Sequence, residues 1–171
     1  AMGNRAGLSL DATRRMLEGL RAGADEAALF TFDTALHQTH AFTANPSIIL
    51  GSLPRLEPFG ATSLYDAVAG TARKLDERGE AGVHKAIVVI TDGRDTNSSL
   101  SPTQVSALAS GVDVPVYIIA SGPAVDRAGG ATGSVPVWAG RTQRLAEETG
   151  GALYFASTPI EAQAAARIIL E

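Results

Sequence analysis

Apolar positions change their spacing several times along the chain, and each change marks a new element. From Leu10, small and apolar residues return at Thr13, Leu17 and Leu20, the spacing of one helical face, and Gly23 marks the exit. Ala27-Ala28-Leu29-Phe30-Thr31-Phe32 reads as a buried strand ending at Asp33, while Leu36 to Phe42 mixes in polar residues as an edge strand does. Only Asp33-Thr34-Ala35 separates the two, so they are predicted to pair as an antiparallel hairpin. Asn45-Pro46 supplies a cap and first-turn proline for a short helix through Leu53. Leu64, Val68, Ala72 and Leu75 mark the inner face of a longer helix. Its start at Ser63, with Asp66 three residues on, has the form of a capping box with Asp in the place of Glu or Gln. The run Ala86 to Ile90 is apolar throughout, as in a strand covered on both faces.

The second half repeats the alternation. Ser101-Pro102-Thr103-Gln104 opens a helix with a cap, a proline and a capping-box Gln. Val114 to Ala120 is the next strand, with Pro115 near its start, where a missing amide is tolerated. Gly122 to Pro136, rich in Gly, Ala and Pro, reads as a loop. A helix around Arg141 to Glu148 and a strand from Ala152 to Phe155 follow. Thr158-Pro159-Ile160-Glu161 then repeats the cap, proline and box pattern. The stripe Ile160, Ala164, Ile168 and Leu170 is assigned to the core. Strands separated by helices imply an α/β fold: a mostly parallel sheet with one antiparallel edge strand and helices on both faces. Right-handed crossovers then gather the strand-to-helix loops along the carboxyl edge, where such sheets bind ligands. The chain is of a length for a single domain over residues 1–171.

Composition removes several function classes. A formal charge of −4 argues against a nucleic-acid partner, which needs clustered Lys and Arg. With no cysteine there is no thiol catalysis, zinc thiolate site or disulfide. No apolar run approaches the roughly 20 residues of a membrane span, so direct membrane insertion by this segment is not expected. Neither a phosphate-binding glycine loop nor a G-x-S-x-G elbow is present, and no enzyme is expected. His37 and His40 fall on opposite faces of their strand, which spoils chelation, and His84 has no partner. Asp76-Glu77-Arg78 reads as the solvated end of a helix, and Trp138 as packed under the helix after it.

Two segments carry chemistry: Phe59-Gly60-Ala61-Thr62-Ser63-Leu64-Tyr65-Asp66 and Ile90-Thr91-Asp92-Gly93-Arg94-Asp95-Thr96-Asn97-Ser98. They bring a hydroxyl and a carboxylate to one sheet edge, donors that suit a hard, oxygen-seeking cation. Singly, each is commonplace, a helix cap and an Asp-Gly turn. In this order and strand pattern they resemble the second and third loops of the metal-ion-dependent adhesion site of von Willebrand factor A domains. The family's second loop has Gly-Thr or Ala-Thr before a helix, matched by Ala61-Thr62; its third is an apolar strand ending in Thr-Asp-Gly, matched by Thr91-Asp92-Gly93. The chain most resembles a bacterial branch in which a phrase like Phe30-Thr31-Phe32-Asp33 precedes Ala41-Phe42-Thr43.

The resemblance implies a three-layer, Rossmann-like fold and a protein-binding, adhesion-type module. It implies Thr62 as a direct hydroxyl ligand and Asp92 as a ligand, direct or through water. The cation would be magnesium, with manganese or calcium as alternatives, and a partner protein's Asp or Glu would complete its shell. Ser63, Gly93, Arg94, Asp95 and Asn97 fall at the rim as partner-binding candidates. The alternative is a metal-free scaffolding domain with a degenerate site. The bacterial branch implies an extracytoplasmic location. One family element does not occur here: the apolar first strand ending in Asp-x-Ser-x-Ser, with Ala1-Met2-Gly3 standing about where it should end. The family fold places it between the strands at Ala27–Phe32 and Ala86–Ile90. Its omission would leave backbone groups unpaired, at about 1–3 kcal/mol for each one buried. Missing sequence, or a strand supplied by another chain, is therefore expected over a shortened native domain.

Overall fold

The computed structural model describes residues 2–53, 62–91, 95–121 and 137–171. Along the chain run α1 (Met2–Glu18), β1 (Ala27–Phe32), β2 (Leu36–Thr43), α2 (Pro46–Leu50) and α3 (Leu64–Glu77). They are followed by β3 (Ile87–Thr91), α4 (Pro102–Gly111), β4 (Val116–Ser121), α5 (Val137–Glu148), β5 (Leu153–Ala156) and α6 (Pro159–Leu170). Elements and order agree with the hydrophobic pattern, and the differences lie at the ends. The helix read from Leu10 begins at Met2, and α2 stops at Leu50 although Leu53 is still buried. The expected loop from Gly122 to Pro136 lies outside the described residues.

The caps show how side chains set these ends. Asn45 accepts the Ser47 amide at the start of α2. Ser101 and Gln104 close both halves of a capping box on α4. At α6, Thr158 caps the Glu161 amide, but Glu161 turns to the amide and hydroxyl of Ser157, one residue earlier than a capping box requires. At α3 the expected box does not form, because the Ser63 side chain makes no cap bond.

β3, β4 and β5 form a parallel sheet in that order, in register from Ile87↔Val116 and Ile118↔Leu153. Successive side chains on β4 enter opposite cores, as strand geometry requires. Val116 and Ile118 pack with Leu64, Val68, Val105 and Leu145 from α3, α4 and α5, whereas Ile119 packs with Ala12, Ala162 and Ala166 from α1 and α6. Helices therefore lie on both faces of this sheet. The core assignment for α6 needs correction: Ile160 is 79% and Ile168 52% exposed, and the buried residues are Ala162, Ala165 and Ala166. The small residues let α6 come close to α1, where a side chain at Gly19 would run into Leu170.

β1 and β2 pair antiparallel as expected, with a register shift on either side of Leu29. They form a separate two-stranded sheet, where the sequence pattern predicts a single sheet. In β3 the Ile87 amide donates to the Pro115 carbonyl beside β4. Backbone groups alternate sides along a strand, so those of Val88 and Ile90 point away from β4, where no described strand pairs with them. Helices bridge the two sheets: α3 packs on both β2 and β3, and α1 packs on β3 and on α2, which lies on β1. Arg78, just past α3, fastens that helix to the hairpin. Its guanidinium reaches Glu26 (2.5 Å) and Glu80 (2.7 Å) and lies 4.0 Å over the Phe42 ring, so it is not simply a solvated helix end.

Candidate functional site

The start of α3 and the segment after β3 meet where β1 and β3 end. The Ser63 amide donates to the Asp33 carbonyl at the end of β1 (2.8 Å). The Thr62 carbonyl accepts the amides of Thr96 (2.8 Å) and Asn97 (3.2 Å), and the Thr62 amide donates to the Thr96 hydroxyl (3.0 Å). The two residues before α3 are thus held from both sides by backbone bonds.

First-turn amides of a helix need partners, and here they come from another loop. The Tyr65 amide makes a long bond to Asp95 Oδ1 (3.4 Å), and the Asp66 amide donates to Ser98 Oγ (3.1 Å). Ser98 Oγ in turn donates to Asp95 Oδ1 (2.5 Å), and the Ser98 amide approaches Asp95 Oδ2 (3.4 Å). The service is reciprocal: the Asp66 carboxylate accepts the amides of Ser99 and Leu100, both at 2.9 Å, ahead of α4. Asp66 therefore holds the neighbouring segment instead of capping its own helix.

Because the capping is done from outside, the hydroxyls at the helix start are not consumed by it. Ser63 is 2% exposed and its Oγ accepts one bond, from Asn97 Nδ2 (3.2 Å). The half-buried Thr62 uses its amide and carbonyl, while its Oγ1 has no hydrogen-bond partner among the described residues. Such a hydroxyl is a neutral oxygen donor of the kind hard cations take. Asp95 has both carboxylate oxygens engaged within the protein, and Asn97 is exposed. Asp92, Gly93 and Arg94 lie outside the described residues. Among the described residues no three acidic or histidine side chains converge, so charge alone provides no cation cage there.

Thr62, Ser63, Asp95 and Asn97 are thus brought together. Sequence reading did not single out Thr96 or Ser98. Their signal is the Asp-x-x-Ser spacing of Asp95 and Ser98, a local turn pattern in which a carboxylate takes a nearby amide and hydroxyl. Trp138, at the start of α5, packs edge-on against Phe155 with centroids 6.2 Å apart. His37 is exposed and faces Asp33 at 3.6 Å, while His40 Nδ1 pairs with the Ala41 carbonyl.

Comparison with known proteins gives one family and a group of similar folds. The model of the von Willebrand factor type A domain matches residues 1–94. No curated protein sequence matches the chain. Among solved structures, an aerotolerance-related membrane protein from Bacteroides fragilis is similar, with 18% identity and a TM-score of 0.73 over 96% of this chain and 87% of that one. A von Willebrand factor type A protein from Catenulispora acidiphila has 14% identity and a TM-score of 0.72, over 98% of this chain and 38% of its own. The vWF domain of the type V pili tip protein Mfa5 from Porphyromonas gingivalis has 12% identity and a TM-score of 0.62, over 98% of this chain and 86% of that one. At these identities the likeness is one of fold.

Proposed function

The chain belongs to the von Willebrand factor type A domain family, and we propose that it is a non-enzymatic module that binds a protein partner through a cation at Thr62. The observation that carries this reading is the hydroxyl of Thr62, a residue whose amide and carbonyl are bonded to the neighbouring loop while its Oγ1 has no hydrogen-bond partner among the described residues. Thr62 and Asp92 would hold the ion, magnesium before manganese or calcium. Bound there, the ion supplies an under-neutralised centre that a partner's Asp or Glu can ligate. By the family resemblance, Ser63, Gly93, Arg94, Asp95 and Asn97 would be the partner-binding rim. Asn97 holds the Ser63 hydroxyl, and Asp95 anchors the segment from which the rim is built.

One hydroxyl and one carboxylate do not make a cation shell, and the family's Asp-x-Ser-x-Ser segment would add the remaining oxygens. Its strand would lie between β1 and β3, take up the backbone groups of Val88 and Ile90 that no described strand pairs with, and join the two sheets into one three-layer domain. The names of similar proteins, one membrane-related and one from a pilus tip, support an extracytoplasmic setting. A metal-free scaffold is the second reading, favoured by the closure of the 62–66 and 95–100 segments through hydrogen bonds alone.

Thermal melts with and without magnesium test the proposal. A ligand of the native state raises stability by about 2.7 kcal/mol at a hundredfold excess over its dissociation constant. A rise that is absent in a Thr62→Ala variant is expected. No rise, or an equal rise in that variant, contradicts the cation reading.

A further inference from the structure

We infer that Asp95 is a positioning residue for Thr62: by capping α3 from the neighbouring loop, it leaves the hydroxyl beside that helix free for a ligand. The inference rests on the reading of Thr62 as the ligand-bearing residue, and it adds how the position of that hydroxyl is set.

A Thr or Ser at a helix start ordinarily spends its side-chain oxygen on the amides of the first turn. In α3 that work has passed to another loop. The Tyr65 amide turns to Asp95 Oδ1, and the Asp66 amide to a Ser98 hydroxyl that itself donates to Asp95 Oδ1. Ser63, at the cap position, makes no cap bond, and Thr62 Oγ1 has no hydrogen-bond partner among the described residues. The two facts have one cause: acceptors brought by the loop, Asp95 Oδ1 and the Ser98 hydroxyl it holds, occupy the first-turn amides in place of a hydroxyl from the helix start. Without Asp95, the first-turn amides would draw a nearby hydroxyl onto themselves, and the unpartnered oxygen donor would be lost.

The test uses threonine-methyl and amide NMR of the metal-free protein, followed by a magnesium titration. Asp95→Ala is expected to speed exchange of the Tyr65 and Asp66 amides about fivefold, the effect of losing one helix cap. It should also move the Thr62 methyl resonance. Asp95→Asn keeps the Oδ1 acceptor and is expected to restore both. Should Asp95→Ala fail to fold, Ser98→Ala removes the hydroxyl between Asp95 and the Asp66 amide and is read in the same way. A Thr62 methyl that stays in place while the amides exchange faster overturns the inference, leaving Asp95 a helix cap and nothing more. Equal displacement by Ala and Asn overturns it as well. If magnesium perturbs nothing in the unaltered protein, the cation reading falls, while the role of Asp95 is still decided by the metal-free spectra.

Discussion

The carbonyl of Thr62 accepts the amides of both Thr96 and Asn97, at 2.8 and 3.2 Å, and so ties the approach to α3 to the segment beyond β3. The Thr96 hydroxyl completes the tie by accepting the Thr62 amide (3.0 Å). Two stretches more than thirty residues apart thus behave as one surface at the sheet edge.

Thr96→Val keeps the size of that side chain and removes its hydroxyl. The Thr62 amide then loses its partner, and stability in urea is expected to fall by about 0.5–1.5 kcal/mol, the net value of one hydrogen bond. An unchanged midpoint would mean that water replaces the hydroxyl at no cost.

The two adjoining faces of α6 should respond in opposite ways to substitution. Ile168→Lys, at a position already 52% exposed, should stay within about 0.5 kcal/mol of the original stability. Ala166→Leu, at a position with no exposure, should cost about 1–3 kcal/mol through overpacking against α1 and the sheet. Urea unfolding of the two variants checks which face of α6 is buried, and the reverse order of effects would place the isoleucines in the core.

Gly151 approaches the backbone of β4 so closely that an added Cβ would collide with the Val116 carbonyl, which cannot swing aside as a side chain would. Gly151→Ala is expected to lower stability by about 1–3 kcal/mol. A thermal melt at wild-type temperature would show that the α5–β5 turn yields freely.

Three exposed carboxylates are held below their ordinary range. Asp25 is lowered by the Arg21 guanidinium and amide, Asp33 first by the Ala35 amide, and Glu80 first by its bond to Arg78. A carboxylate with a depressed folded pKa contributes stability that is present above its unfolded value, near 4, and is lost as pH falls through the folded one. Melting temperature should therefore be level from neutral pH down to about 5 and decline below about 4. All three groups face solvent, so the decline should shrink when salt is added.

Much of this was legible in the sequence because it depends on local patterns. The apolar run Ala86–Ile90 and the three-residue turn after Phe32 leave few options: the run forms β3, one residue later at Ile87–Thr91, and the hairpin forms as read. Asn45, Ser101 and Thr158 cap the helices they precede. What the pattern hid depends on long-range partners. Ser63 has the form of a cap and does not act as one, because Asp95 reaches the first turn from thirty residues away. Asp66 completes that apparent box and instead binds Ser99 and Leu100. On α6, the apolar stripe through Ile160, Ala164, Ile168 and Leu170 pointed to the wrong face, and packing against the sheet and α1 buries Ala162, Ala165 and Ala166 instead. Among the described residues β1–β2 and β3–β4–β5 form two sheets, where the alternation of strands and helices pointed to one.

The most direct measurement is manganese-induced paramagnetic broadening of the protein's amide and methyl resonances. A cation at Thr62 should give broadening centred on Thr62 and Ser63 that is reversed by excess magnesium and removed by Thr62→Ala. Broadening centred elsewhere, such as on the exposed Asp25 or Asp33 carboxylates, or the same broadening in the variant, would contradict it.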